Sequence, residues 1–250
     1  MLLKNKVKQN MNEGKPSVGV IIGIYSPSLV EMFGHAGYDF IIIDHEHGVY
    51  GWTEMENMIR AAHLVDLVPI VRVDYDPSSI QKVLDLGALG IQVPMVNSKE
   101  DAENVVRRAK YPPIGTRGTA FMTRAAGLGY FGGKAFMDAS DDNIIISAHI
   151  ETPEAVDNLE EILQVPGIDI AFVGPFDLSV NMGYKEGINH PKVVQTIDYV
   201  YEKAKKNKIP VGTIANTREA VQEKIEKGTL FIPVVATEVM RTAFDAILPR

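Results

Sequence analysis

The chain has 250 residues, 46% of them hydrophobic, no cysteine and a formal charge of −7 at pH 7. That length and apolar content suit one large α/β domain, and the missing thiols exclude disulfides, thiolate nucleophiles and zinc–thiolate sites. The acidic balance argues against a nucleic-acid partner, which needs a basic face; no apolar run reaches the ~20 residues of a membrane helix, so a soluble protein of the cytoplasm is expected.

The first segment, MLLKNKVKQNMNEGK, carries lysines but no signal-peptide core. From about residue 17 onward, short β-branched runs alternate with amphipathic segments. The runs predict strands at 17–24, 38–44, 67–73, 89–96, 143–151, 168–174, 209–215 and 229–235. Helices are predicted between them at 28–37, 53–65, 78–88, 99–110, 154–165, 191–207 and 217–228, with a last helix at about 237–248 closing the chain. Ser98, Thr152-Pro153 and Thr217 precede acidic first turns, and Gly87, Gly167 and Gly228 stand where helices should stop.

Near-continuous apolar strands separated by helices imply a parallel sheet covered by helices. An open doubly wound sheet is the structural rival, but eight evenly spaced units favour closure into one (β/α)8 TIM barrel over 1–250. One stretch breaks the rhythm. Residues 111–142 are rich in glycine and aromatic residues and carry no strand of their own, which marks a structured excursion that is functional or interfacial.

Parallel barrels do their chemistry at the rim where the strands end. Asp44, His45, Glu46 and His47 follow the second predicted strand, Arg72 ends the third, Glu151 ends the fifth and Asp177 follows the sixth. Side chains alternate along a strand, so His149 shares a face with Glu151 and lies one layer deeper. Each residue alone has an ordinary reading: a solvated or helix-capping Glu151, a capping Asp177, an Arg72 salt-bridged to Asp44 or Glu46. Together they suggest a metal-assisted site, because two carboxylates with open water positions suit a hard cation such as Mg²⁺ or Mn²⁺. Asp44 beside His47 would orient the imidazole and raise its basicity, with His45 and Glu46 pointing elsewhere. No lysine ends a predicted strand, which disfavours a Schiff base.

The strings GYDFIIIDHEHG, PIVRV, GIQVPMVNSKEDAENVVRRAKYPPIGTRG, IETPEAVDNLEEIL and GIDIAFVGPFDLSVNMGY resemble the HpcH/HpaI aldolase/citrate lyase family over about residues 17–248. Within it the chain is most similar to the class II pyruvate aldolases. The resemblance implies a barrel of the phosphoenolpyruvate/pyruvate type, assembled as a hexamer with an exchanged C-terminal helix. It implies Glu151 and Asp177 as ligands of a divalent ion (Mg²⁺, Mn²⁺ or Co²⁺), and His47 and Asp44 as the acid/base pair. Arg72 would face the enolate, and the backbone amides of Phe176 and Asp177 would hold the pyruvate carboxylate. His149 stands where the aldolases usually carry glutamine, and TAFMTRAA replaces their usual small-residue run; both changes touch the substrate pocket. The activity implied is reversible cleavage of a 4-hydroxy-2-oxo acid, the small-molecule partner, to pyruvate and an aldehyde. The alternatives are a CoA-ester lyase, an oxaloacetate decarboxylase on the same site, or a non-catalytic metabolite-binding homologue.

Overall fold

Isoleucine- and valine-rich runs form the strands, and the structure, a computed structural model, describes residues 4–185 and 187–248. The rest of the expected 1–250 domain (1–3, 186 and 249–250) lies outside the described residues. Among the described residues eight parallel strands close in sequence order: β1 (Ser17–Ile22), β2 (Phe40–Asp44), β3 (Val68–Arg72), β4 (Gly90–Val93), β5 (Ile145–Ile150), β6 (Ile170–Val173), β7 (Val211–Thr213) and β8 (Phe231–Val235). The last pairs with the first, Val20 opposite Val234. The (β/α)8 barrel is therefore the fold.

The outward strand side chains (Ile41, Ile43, Val71, Ile91, Ile146 and Val173 among them) are buried under a ring of helices. The ring is built from α2 (Pro27–His35), α3 (Trp52–Leu64), α4 (Ser78–Asp85), α5 (Lys99–Ala109), α7 (Pro153–Asp157), α8 (Leu159–Leu163), α10 (Pro191–Lys206) and α11 (Arg218–Glu226). Apolar side chains recurring at helical spacing give several of the longer helices a buried stripe, as with Ala102, Val105, Val106 and Ala109 on α5. Ser98 caps that helix, its hydroxyl accepting from the Asp101 N–H while the Asp101 carboxylate accepts from the Ser98 N–H. The predicted helix at 154–165 breaks at Asn158, whose side-chain amide donates to the Asn97 carbonyl.

Two helices lack a counterpart in the sequence reading, and a third forms within the expected loop/helix excursion. The lysine-bearing first segment forms α1 (Lys6–Asn12), which lies across the lower, N-terminal strand ends. Its Val7 and Met11 join Phe40, Phe172 and Phe231 in the core, and Phe40 stacks on Phe231 at 4.1 Å. Asn5 ties it to the Leu89 and Asn143 carbonyls. The second is α9 (Pro175–Asn181), directly after β6.

The third, α6 (Gly133–Asn143), ends the excursion. Tyr111, Ala126 and Phe136 give the excursion a small core of its own, walled by Phe121 and Phe131. It is moored to the end of α4, where the Ala125 N–H donates to the Asp85 carbonyl and Arg117 donates to the Asp85 carboxylate. The closing helix is α12 (Ala236–Ile247). No helix of the described residues is long and apolar enough to cross a membrane.

Candidate active site

A cavity of about 600 Å³ opens at the C-terminal strand ends and is lined by Asp44, His47, Arg72, His149, Glu151, Phe176 and Asp177. Strand register explains the convergence: Asp44 pairs with Arg72, Arg72 with Gln92 and Gln92 with Ser147, so four neighbouring strands deliver polar groups to one interior.

Arg72 is gripped on two sides. Its Nε and Nη2 donate to the Asp44 carboxylate at 2.8 and 2.6 Å, and its Nη1 lies 3.2 Å from Glu46 Oε2. Burial disfavours the guanidinium charge, but the Asp44 and Glu46 carboxylates more than offset that and hold its pKa above the ordinary arginine value. The salt bridge anticipated as the ordinary reading of Arg72 is thus present, on a side chain that also faces the cavity.

This geometry corrects the expected Asp44–His47 pairing. Asp44 spends its carboxylate on Arg72 and on the Glu46 and His47 backbone N–H groups, because the turn after β2 folds the chain back over that carboxylate. The His47 ring is two-thirds exposed at the rim, with its Nε2 3.8 Å from Glu46 Oε2. Glu46, expected to point elsewhere, instead joins Arg72 and accepts from the Tyr75 hydroxyl. His45 does turn away, packing on Trp52.

Glu151 is 3% exposed. Its Oε1 accepts from the Met95 N–H at 2.8 Å and its Oε2 meets His149 Nδ1 at 2.7 Å. Burial works against the charge, but the His149 contact, the Met95 N–H and the Arg72 charge together hold the carboxyl below its usual range. An ionised carboxylate accepts only, so His149 Nδ1 carries the hydrogen. Gly174, at the end of β6, makes room for this group, since a Cβ there would come within 2.7 Å of Glu151 Oε2. Met95 holds a left-handed backbone, φ 55°, uncommon for a residue with a side chain.

Asp177 lies in the first turn of α9, exposed, with no hydrogen-bond or ion-pair partner among the described residues. Phe176 beside it is 56% exposed. His149 is buried, stacks on Phe172 with ring centroids 4.8 Å apart, and leaves its Nε2 without a partner. Gln92 and Ser147, both fully buried, are likewise unpartnered at the Gln92 amide and the Ser147 hydroxyl. These two residues and the Met95 amide were missed in the sequence. Gln92 and Ser147 could have been found as polar residues at inward positions of otherwise apolar strands; nothing in the sequence marks Met95.

The family model described as HpcH/HpaI aldolase/citrate lyase matches residues 18–240. A 4-hydroxy-2-oxo-heptane-1,7-dioate aldolase from Escherichia coli is 31% identical over 99% of this chain and 95% of its own. A 2-dehydro-3,6-dideoxy-6-sulfogluconate aldolase from Pseudomonas putida is 35% identical over 86% of this chain and 84% of its own. The crystal structure of an HpcH/HpaI aldolase/citrate lyase family protein from Burkholderia cenocepacia J2315 superposes with a TM-score of 0.90 at 30% identity, covering 97% of this chain and 98% of that one.

Proposed function

The chain belongs to the HpcH/HpaI aldolase/citrate lyase family and is a carbon–carbon lyase of its aldolase type, and from that premise we propose a metal-dependent enzyme that reversibly cleaves a 4-hydroxy-2-oxo acid to pyruvate and an aldehyde. The observation that supports it is the convergence of the Glu151 and Asp177 carboxylates, the half-buried Arg72 and the rim histidine His47 on a single cavity.

Glu151 and Asp177 would hold the divalent ion, Mg²⁺, Mn²⁺ or Co²⁺. The donor set fits: each Glu151 oxygen makes one protein contact and keeps a lone pair, while Asp177 is unengaged. Among the described residues no group of three or more His, Cys, Asp or Glu could hold a metal, and hard cations such as Mg²⁺ are commonly held by one or two carboxylates plus water and substrate oxygens. When bound, the ion would supply Lewis-acid polarisation of the 2-oxo group.

The protein's own groups would do the rest. Arg72, held by Asp44 and Glu46, sets a fixed positive charge beside the 2-oxo oxygen, which becomes anionic as the C3–C4 bond breaks, its electron pair forms the C2=C3 bond and the carbonyl π pair moves to oxygen. His47 Nε2, at the rim 3.8 Å from Glu46 Oε2, takes the 4-hydroxyl proton, leaving the aldehyde carbonyl, and protonation of the enolate at C3 then gives pyruvate. The Phe176 and Asp177 N–H groups lie in the first turn of α9, where no intrahelical acceptor exists, and would orient the substrate carboxylate. The test is pyruvate release from a panel of 4-hydroxy-2-oxo acids, with and without EDTA and with Mg²⁺, Mn²⁺ or Co²⁺ restored. Metal-restored release supports the reading, whereas turnover of acyl-CoA esters alone replaces it with a CoA-ester lyase.

We extend the proposal to assembly. Along α12, Phe244 and Ile247 are 57% and 79% exposed, and Leu248 just beyond the helix is 63% exposed, an apolar face unpaired in the single chain. A neighbouring subunit in a hexamer would cover it. Sedimentation should give a hexamer that falls apart on truncation after Thr237; a monomer at micromolar concentration would contradict this.

A further inference from the structure

A second cavity, of about 200 Å³, lies between the excursion and the barrel, away from the active-site mouth. His63 near the end of α3, Gly87 just past α4, and Arg117 and Arg124 of the excursion line it. Three nitrogens there, His63 Nε2, Arg117 Nε and Arg124 Nε, are buried with no hydrogen-bond partner. Arg117 is only 2% exposed; its Nη2 donates to Asp85 at 2.7 Å, its Nη1 reaches Ser140 Oγ at 3.5 Å, and its guanidinium lies over the Tyr111 ring. A Cβ on Gly87 would touch both the His63 ring and the Arg124 stem, so those two side chains converge on one spot.

Buried donors are normally paired, and a charged one left alone is costly. Here two guanidinium groups and an imidazole share a space with no carboxylate among its described lining residues; Asp85 is spent on Arg117, and Glu56, whose charge reaches Arg124, is paired with Arg60. Burial and the Arg124 charge push the His63 pKa down to about 4, and burial and the Arg60 charge lower that of Arg124. Burial leads both shifts, with a neighbouring cation adding to each, so the space disfavours further positive charge. The volume holds several waters at about 30 Å³ each, and equally one small tetrahedral oxyanion.

We propose that this cavity is a binding site for a phosphate-type oxyanion, held by Arg117, Arg124 and His63, which clamps the excursion to α3. The inference is independent of the aldolase reading, because it uses none of the active-site groups. Orthophosphate or the phosphoryl group of a small phosphomonoester would satisfy the same donors.

The test titrates full-length protein with inorganic phosphate, and separately with glycerol phosphate, at constant ionic strength, read by calorimetry and by the shift in Tm. Saturable binding and a rise in Tm are expected. Arg124→Gln, which removes a charge from the partly exposed wall, should weaken binding by ~10-fold or more, the size expected for one charge-assisted hydrogen bond; His63→Leu should weaken it independently. Arg72→Lys should leave it intact. Binding of the monoester as well as orthophosphate would make a metabolite's phosphoryl group the source, and orthophosphate alone would make it the free ion. The proposal is overturned if phosphate acts no differently from chloride, if both cavity variants bind normally, or if Arg72→Lys abolishes binding and so places the anion in the active site.

Discussion

Glu151→Gln and Asp177→Asn should each remove nearly all turnover while the barrel stays folded. Both substitutions keep the shape of the side chain and delete the charge that would attract a divalent ion. Lewis-acid stabilisation worth several kcal/mol corresponds to a loss of roughly 10³-fold in kcat. The two differ in structural cost. Asp177 is exposed and unpartnered, so its amide should leave Tm unchanged. Glu151 is buried between the Met95 N–H and His149, and glutamine has one accepting end where two are used, so about 1–3 kcal/mol of stability should go as well. Equal catalytic loss with unequal loss of Tm would separate metal holding from packing. Full activity of metal-stripped enzyme, or a substrate imine trapped by borohydride, would sink the assignment.

Arg72→Lys should lower kcat by ~10²-fold or more, the usual size for a lost oxyanion donor. Lysine keeps the charge but not the planar fork that meets Asp44 with two nitrogens and Glu46 with a third. The ammonium would settle on one carboxylate and leave the other buried without its partner, which costs stability. Activity should therefore be measured well below the variant's Tm, together with proton exchange at the pyruvate methyl group. Exchange reports the enolate alone and should fall in parallel with kcat. Unchanged exchange and turnover would leave Arg72 a purely structural residue.

The barrel was legible because its strands are continuous Ile/Val runs such as FIIID and its helices carry capping signals such as Ser98 and Thr217, so local pattern and global fold agree. The site was legible to the extent that strand ends are: alternation correctly set His149 beneath Glu151. It was illegible where the chain turns sharply. Whether Asp44 would face His47 or Arg72 depended on the path of the loop after β2 and on a partner 28 residues away, and spacing carries neither. α1 escaped notice because only two of its seven residues, Val7 and Met11, are buried, too few to set a period. The excursion's helix α6 opens with glycine and is held by Asn5, Lys110 and Tyr111, contacts distant in sequence that outweigh its weak local propensity.

The plugged lower end of the barrel has a consequence for traffic. With α1 and the Phe40, Phe172 and Phe231 rings filling that end, molecules enter and leave the interior through one doorway, and whatever sits deeper must wait. Glu151 is almost wholly covered, whereas His47 stands at the threshold, two-thirds in water. In the proposed reaction the aldehyde forms on the His47 side and pyruvate on the Glu151 side. The aldehyde therefore departs first and pyruvate last, and in the synthetic direction pyruvate has to be seated before an aldehyde can find anything to attack it. In that proposed reaction the single doorway would itself set the order of arrivals.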